Sequence, residues 1–272
     1  MKKYLLQSSV LLLLLGLMST SHAQGPENMH IPVFCDQGHS IQDAVDKAKE
    51  GATIDVWGTC YEAVLVDKDR LRFLGLEGNA TIMPPCCTPA FQIISDGVSI
   101  EGFNITGAVT GIAITHGSQA SIIYNVISDS GDSGIRVHSS SQAILVQNQI
   151  TNSGNYGIRV RGSSQATLSG NTVTASNLAG VGVSAGSSAR LAHNVITGNT
   201  NHGISVQTNG TVDLRNTNKI SGNGGFGVSC EETAVLIVNK AQDFSGNGAG
   251  DVDVVPGPPS CFVKNQSGQP FP

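Results

Sequence analysis

Between Gly107 and Asn223 the sequence has only three acidic residues, Asp129, Asp132 and Asp213. A glycosidase that pairs a general acid with a nucleophile needs two carboxyl groups close together, and a calcium site needs several oxygen ligands. Asp129 and Asp132 fall in one turn, where aspartate is a common turn former. The scarcity of acids therefore argues against a carboxylate-pair enzyme and against a calcium site, and we expect neither a metal ion nor a cofactor.

Several common motifs are missing as well. The sequence contains no H-E-x-x-H or G-K-S/T pattern and no C-x-x-C pair, so it lacks these signatures of zinc, P-loop and redox sites. No apolar stretch after the first 23 residues is long enough to span a bilayer, and we expect no membrane insertion. The sequence has 15 basic and 20 acidic residues. Without Lys2 and Lys3, which lie in the N-terminal segment described next, 13 basic residues remain. This balance of −7 argues against nucleic acid as a partner.

Residues 1–23 have the pattern of a secretory signal peptide. Lys2 and Lys3 are followed by an apolar run at 10–18 and by the small residues Ser21 and Ala23, at the positions that a signal peptidase reads. A membrane anchor is the alternative, but the run is well short of the ~20 residues that a spanning helix needs. We predict an exported protein, either periplasmic or extracellular.

Six cysteines cluster toward the two ends of the exported chain, and export permits disulfides. Cys35 and Cys60 flank the predicted N-terminal helix and its following strand, so we predict that they pair. We also predict that Cys261, in the C-terminal tail, folds back to pair with Cys230. The remaining two are either a vicinal disulfide or free thiols: Cys86 and Cys87.

Glycine and asparagine recur at a fixed spacing through the middle of the chain. The glycines are 23 residues apart, with one spacing of 24: Gly111, Gly134, Gly157, Gly180, Gly203 and Gly227. The asparagines follow the same spacing: Asn125, Asn148, Asn171, Asn194 and Asn218. Between them apolar and polar residues alternate, which is typical of short half-buried strands. Six copies run from Gly107 to Asn247, and none contains the apolar stripe of a helix.

Three short strands per copy, without a helix, predict an all-β, single-stranded parallel β-helix of about eight coils. Equivalent residues then stack about 4.8 Å apart, and inward positions form aliphatic columns that begin at Ile112, Ile114 and Ile127. The asparagines are predicted to form a structural ladder inside a turn, where their amides satisfy backbone groups from coil to coil. We predict a signal peptide at 1–23, an N-terminal cap at 24–52, the β-helix at 53–256 and a tail at 257–272.

The segment before the repeats has the features of a cap. Ser40 is a suitable helix N-cap, Gly51 ends the helix, and four apolar residues share one helix face: Ile41, Ala44, Val45 and Ala48. The patterns S-I-Q-x-A-V-x-x-A at 40–48 and T-I-x-V-x-G-T-C-Y-E-x-V at 53–64, followed by the glycine and asparagine coils, resemble bacterial right-handed parallel β-helix repeat proteins of the pectate-lyase-like superfamily. The resemblance covers about residues 31–256.

This resemblance implies the right-handed fold and leaves the activity open. The superfamily includes lyases, hydrolases, epimerases, esterases and non-catalytic members. Two groups of the superfamily have recognisable catalytic residues. Pectate lyases carry calcium-binding acids, and polygalacturonases carry N-T-D, D-D and R-I-K signatures. Neither pattern is present.

Two adjacent copies carry basic residues at outward positions of the same strand. The first outward row places Arg136 beside Arg159, and the second places His138 beside Arg161. Like charges at sheet spacing repel, and a carboxylated or sulfated polysaccharide would compensate them, because arginine binds carboxylates in bidentate fashion. Tyr156, just before the Arg159 strand, is expected to stack on a sugar. The alternative is that these side chains only solvate the sheet.

The sequence thus leaves three functions open. The first is an exported protein that binds an acidic polysaccharide through Arg136, His138, Arg159 and Arg161, with no catalysis required. The second is a polysaccharide lyase or epimerase acting on uronates, in which arginines neutralise the carboxylate and His138 or Tyr156 moves the proton α to it. The third is a structural or surface-interaction module.

Overall fold

The computed structural model describes residues 29–78, 80–231, 233–239, 241–254 and 262–264. The predicted signal peptide, Cys261 and most of the predicted C-terminal tail lie outside these residues. Among the residues that the structure describes, no helix has the length and apolar character needed to cross a membrane.

Short strands make up most of the described chain, together with one α-helix, α1 (Ile41–Lys47), and one 3₁₀ turn, Cys35–Gln37. In chain order the strands are β1 His30–Phe34, β2 Thr53–Trp57, β3 Thr59–Cys60, β4 Val64–Val66, β5 Arg72–Gly75, β6 Thr81–Ile82, β7 Pro89–Ile93, β8 Val98–Glu101, β9 Asn104–Thr106, β10 Thr110–Ile114, β11 Gln119–Ile123, β12 Val126–Ser128, β13 Ser133–Val137, β14 Gln142–Val146, β15 Gln149–Thr151, β16 Tyr156–Val160, β17 Gln165–Ser169, β18 Thr172–Thr174, β19 Ala179–Val183, β20 Ser188–Ala192, β21 Val195–Thr197, β22 His202–Val206, β23 Thr211–Arg215, β24 Lys219–Ser221, β25 Phe226–Cys230, β26 Val235–Val238, β27 Asp243–Ser245, β28 Gly250–Val254 and β29 Phe262–Lys264.

The strands pair in parallel from coil to coil and form three sheets. Sheet A contains β1, β2, β5, β8, β11, β14, β17, β20, β23, β26 and β29. Sheet B contains β3, β6, β9, β12, β15, β18, β21, β24 and β27, and sheet C contains β4, β7, β10, β13, β16, β19, β22, β25 and β28. Each coil passes from A to B to C. This arrangement confirms the predicted all-β parallel β-helix.

The β-helix has more coils than the sequence predicted. The described strands make nine complete coils with a further sheet A strand at each end, about ten turns against about eight expected. At the N-terminal end, β1 pairs with β2. At the other end, β29 pairs with β26 inside the stretch that was predicted to be a tail. Both strands lie outside the regular 23-residue repeat, which is why the repeat alone did not reveal them.

The interior of the helix is filled by columns of aliphatic side chains. The three predicted columns are buried throughout, and sheet A adds a column of leucines above Ile122: Leu145, Leu168, Leu191, Leu214 and Leu236. Near the N-terminal end the rings of Phe73, Phe91 and Phe103 stack edge to face, with centroids 5.3 and 5.5 Å apart. Because β-branched and leucine side chains pack densely on a pleated, buried surface, these columns hold consecutive coils in register.

The predicted asparagine ladder runs through the turn between sheets A and B. All five members are buried, from Asn125 to Asn218. In a representative step, the backbone N–H and the Nδ2 group of Asn148 both donate to Oδ1 of Asn171, each at 3.0 Å. The Nδ2 group of Asn148 also donates to the Ile122 carbonyl at 2.8 Å. The asparagines therefore satisfy buried backbone groups, which is the structural role predicted for them.

Two further ladders were not predicted. The backbone N–H of Ser176 donates to Asn199 Oδ1 at 3.0 Å, and that of Asn199 donates to Asn223 Oδ1 at 3.1 Å. In the turn that leads into sheet A, the N–H groups of Ser141 and Ser164 each donate at 3.1 Å to the serine hydroxyl of the next coil. In the later coils all three corners are thus tied by polar side chains in the interior, whereas in the earlier coils the hydroxyls of Ser130, Ser153 and Ser176 have no hydrogen-bond partner among the described residues.

The N-terminal end is closed by α1, as predicted. The Ser40 side chain accepts from Asp43 N–H, and Glu62 accepts from the backbone N–H groups of Ile41 and Gln42 at 2.7 and 3.1 Å. The helix ends at Lys47, before Gly51. The predicted disulfide between Cys35 and Cys60 is present, with Cα atoms 5.1 Å apart.

At the C-terminal end, Cys230 is buried and disulfide-bonded. Its predicted partner, Cys261, lies outside the described residues. The Cys230–Cys261 pairing therefore remains a prediction.

Candidate functional site

The basic residues singled out in the sequence meet on the outer surface of sheet C. Arg136 on β13 is the direct ladder partner of Arg159 on β16. His138 and Arg161 continue the two strands by one residue, since their N–H groups donate to the carbonyls of Ile114 and Val137 at 2.9 Å. We call the patch formed by Arg136, His138, Arg159 and Arg161 the basic face.

Arg136 is partly buried and has a carboxylate partner. Its Nη1 lies 3.3 Å from Asp132 Oδ2, with side-chain exposures of 29% and 21%. Asp132 also accepts from the Asn155 amide at 2.7 Å and the Ser133 hydroxyl at 3.1 Å. Asp132 is therefore both the turn former that the sequence indicated and the counter-ion of Arg136. The repulsion between Arg136 and Arg159, which the sequence left for a ligand to compensate, is thus partly relieved within the protein.

Arg159 is held by an aromatic ring. Its guanidinium carbon lies 4.8 Å from the centroid of Tyr156, over the ring. The tyrosine is only 9% exposed and lies against Gly182, where a Cβ atom would come within 2.5 Å of two ring carbons. Glycine at this position therefore makes room for the ring. The expectation that Tyr156 stacks on a sugar does not fit this geometry, because Arg159 already covers the ring and little of it reaches solvent.

Arg159 and Arg161 form no ion pair with any of the residues that the structure describes. His138, two residues after Arg136 in the same coil, is half-buried, and its Nδ1 lies 3.0 Å from the Ser139 hydroxyl. Burial, followed by the charges of Arg136 and Arg161, lowers the pKa of His138 below its usual 6.5. At neutral pH the basic face therefore presents two unpaired guanidinium groups beside a neutral imidazole.

The far end of sheet C has the opposite charge. Glu231 accepts from the Gln207 amide at 2.7 Å, and Asp253 pairs with Ser229 in the ladder row that also contains Arg159. Burial lowers the pKa of His202, against the opposing effect of Asp253 and Glu231. The charged side chains on sheet C thus change from basic in the middle coils to acidic near the C-terminal end.

A groove of about 520 Å³ lies on another surface, the outer side of sheet A. Its lining includes a row of three exposed glutamines: Gln119, Gln142 and Gln165. The lining also includes Thr167 and Arg190, and Arg190 lies 3.7 Å from Asp213. Asp213 also pairs with Arg215 at 2.7 Å, so the arginines beside the groove share a carboxylate partner, unlike Arg159 and Arg161. We therefore take the basic face of sheet C, and not this groove, as the candidate site.

One cluster has the composition of a metal site, and its groups are already engaged. The ligand atoms of Cys35, Cys60 and Glu62 lie within 4.8 Å of one another. The two sulfurs are joined in a disulfide, and the Glu62 carboxylate caps α1. A disulfide sulfur does not act as a thiolate ligand, so this cluster is part of the cap.

Comparison with known proteins places the fold. The family described as the right handed beta helix region matches residues 90–250, more than half of the chain. No curated protein matches the sequence.

Several solved structures share the architecture. A protein of Geobacillus virus E2 has a TM-score of 0.61 and 11% identity, covering 87% of this chain and 61% of its own, so the chain spans less than two thirds of that protein. The A-module of an Azotobacter vinelandii mannuronan C-5 epimerase has a TM-score of 0.58 and 12% identity, covering 88% and 79%. An alginate lyase from a Paenibacillus species has a TM-score of 0.51 and 14% identity, covering 84% and 100%. At such low identity these likenesses show the fold alone.

The 23-residue coils, the three parallel sheets and the asparagine ladder agree with the match over residues 90–250. The chain belongs to the right handed beta helix family.

Proposed function

We propose that this is an exported β-helix protein that binds an acidic polysaccharide through the basic face of sheet C. The observation that carries the proposal is the pair Arg159 and Arg161, one in β16 and the other directly after it, neither of them paired to a carboxylate among the described residues. Unpaired guanidinium groups on an acidic protein form a local site for anions, because their charge is not cancelled by neighbours.

The geometry suits an extended chain of carboxylates rather than a single small anion. Neighbouring coils lie about 4.8 Å apart, so Arg136 and Arg159 meet successive positions of a ligand that runs along the helix axis. Contact with Tyr156 holds the Arg159 guanidinium in place, which reduces the entropy lost when it binds. Arg136 is the weaker contact, because Asp132 already neutralises it.

The chemistry of two structural neighbours agrees with this ligand class. By their names, one neighbour acts on mannuronan and another on alginate, both of which are polymers of uronic acids. The likeness extends to the fold only. It supports an acidic polysaccharide as the first ligand to test.

A second candidate, a lyase or epimerase acting on uronates, is favoured by one observation. The lowered pKa of His138 keeps its imidazole neutral at physiological pH, as a general base requires. Arg136 and Arg161 lie close enough to His138 to affect its charge, and arginines there would stabilise an enolate-like intermediate. Tyr156 is the weaker acid–base candidate, because it is buried under Arg159.

The test compares two double variants with the same change in charge. Arg159→Ser with Arg161→Ser removes the unpaired cations of the basic face, whereas Arg190→Ser with Arg215→Ser removes two half-exposed arginines of sheet A. Binding to alginate and to dextran, a neutral polymer, is measured at low and high salt. We expect the basic-face variant to bind alginate at least tenfold more weakly and with a smaller salt dependence, while the sheet A variant binds like the wild type.

Two results would refute the proposal. One is a wild-type protein that fails to bind alginate even at low salt, and the other is an equal loss of affinity in both double variants. Catalysis is followed in the same samples by the ultraviolet absorbance of unsaturated products and by NMR of the uronate composition. Loss of turnover with retained binding in His138→Ala would establish the second candidate.

A further inference from the structure

Cys86 and Cys87 stand apart from the other described cysteines. They lie in the loop between β6 and β7, both are exposed, and both are free thiols. Their sulfur atoms are only 2.6 Å apart. Cys87 has a φ of 73°, in the left-handed region that non-glycine residues seldom adopt.

The loop that carries them is an addition to the regular coil. Residues 83–88 join β6 to β7, whereas residues 107–109 join β9 to β10 and 129–132 join β12 to β13. Two prolines precede the cysteines and one follows, and the Thr88 hydroxyl donates to the Pro85 carbonyl at 2.8 Å. Because proline fixes φ, this loop is stiff and holds the two thiols together. Such an insertion is not needed to close a coil.

A disulfide between neighbours in sequence is reduced more easily than an ordinary one. Consecutive Cα atoms are about 3.8 Å apart, which is below the range of about 4.4–6.8 Å found in disulfides, and such deviations store strain. Strained and exposed disulfides have more oxidising potentials. The Cys35–Cys60 bond differs on both counts, since its Cα atoms are 5.1 Å apart and Cys60 is only 3% exposed.

We propose that Cys86 and Cys87 form a reversible redox modification site, which a small disulfide of the glutathione class oxidises to a vicinal disulfide. The Cys86 thiolate attacks one sulfur of glutathione disulfide and releases one glutathione. The Cys87 sulfur then attacks the mixed disulfide and releases the second. Two electrons and two thiol protons pass to the two glutathione molecules, and reduced glutathione reverses both steps.

The order of attack follows from the contact between the two thiols. The hydrogen bond with Cys86 raises the pKa of Cys87, so Cys87 retains its proton while Cys86 reacts. Once the mixed disulfide has formed at Cys86, that hydrogen bond is lost, and the Cys87 sulfur is already close enough to displace glutathione.

The experiment equilibrates the protein in glutathione buffers of increasing reducing strength. Thiols are trapped by alkylation, and intact mass and peptide mapping give the state of each cysteine. We expect the Cys86–Cys87 peptide to lose two hydrogen masses under oxidising conditions and to regain them at a glutathione ratio that leaves Cys35–Cys60 bonded. Cys86→Ser and Cys87→Ser serve as controls, and each should carry one glutathione instead of an internal bond.

Three outcomes would overturn the proposal. In the first, the pair remains as thiols in excess glutathione disulfide; in the second, each cysteine carries its own glutathione; in the third, the vicinal bond resists reduction as long as Cys35–Cys60 does. A direct assay of the reduced form is the dithiol reagent phenylarsine oxide. The wild-type protein should bind one equivalent that Cys86→Ser does not bind.

Discussion

Asn171→Ala tests the polar interior of the helix. The side chain is fully buried, and its Oδ1 accepts from both the backbone N–H and the Nδ2 of Asn148 at 3.0 Å. Its own Nδ2 donates to the Leu145 carbonyl at 2.9 Å and to Asn194 Oδ1 at 3.0 Å. Alanine leaves the Asn148 N–H without its acceptor and the Leu145 carbonyl without this donor. Since each buried unsatisfied group costs about 1–3 kcal/mol, we expect a loss of about 2–6 kcal/mol in the free energy of unfolding.

Reversible urea unfolding measures this loss, and hydrogen exchange at the Asn148 amide locates it. The matched control is Asn177→Ala, an exposed asparagine of the same coil, for which a change within about ±0.5 kcal/mol is expected. Alginate binding by the folded fraction of Asn171→Ala should be unchanged, because the side chain is far inside the helix. A variant that unfolds like the control, or one that keeps full stability but no longer binds, would show that the ladder is not the scaffold described here.

Two further predictions concern single groups. Glu62→Ala removes the acceptor of two helix N–H groups and of the Ser40 hydroxyl, and should lower the free energy of unfolding by about 1–3 kcal/mol; Glu77→Ala, at an exposed turn, should change it little. Because the pKa of His138 is lowered in the folded protein, the unfolded chain binds this proton first, and stability falls as pH drops through about 6.5. Thermal melts of His138→Gln should show a flatter pH profile below 6.5, and a profile identical to wild type would contradict the assignment.

The repeat made the regular coils predictable in detail. The 23-residue spacing alone placed Arg136 beside Arg159, the inward columns beside one another and the asparagines in one ladder. The spacing is sufficient because, in a parallel β-helix, equal spacing sets the register between neighbouring coils directly, without any knowledge of long-range packing.

The missed features depend on mixed residue types or on local breaks in the strand ladder. The second ladder was present in the sequence as residues at nearly the same spacing, but serine fills its early positions and asparagine only the later ones, from Asn199 onward. The pairing of Asp132 with Arg136 and the burial of Tyr156 occur where the ladder of sheet C skips the recurring glycine of each strand, so a strict alternation of inward and outward residues does not predict them. The cations of the site were predictable, whereas their partners were not.

Because the ladder hydrogen bonds repeat from coil to coil, the number of coils can change without altering the rest of the protein. Each ladder asparagine uses only the coil before it and the coil after it, and at its end Gln242 accepts from Asn218 through a side-chain oxygen in the same way. One copy of the unit could be duplicated or deleted in the middle of the chain while every remaining coil kept its contacts. Such an event would lengthen or shorten the sheet C surface by about 4.8 Å and leave α1 and the terminal strands β1 and β29 intact. Evolution can thus adjust the length of the sheet C surface, and with it the number of polymer units that the proposed site would span, without redesigning the core.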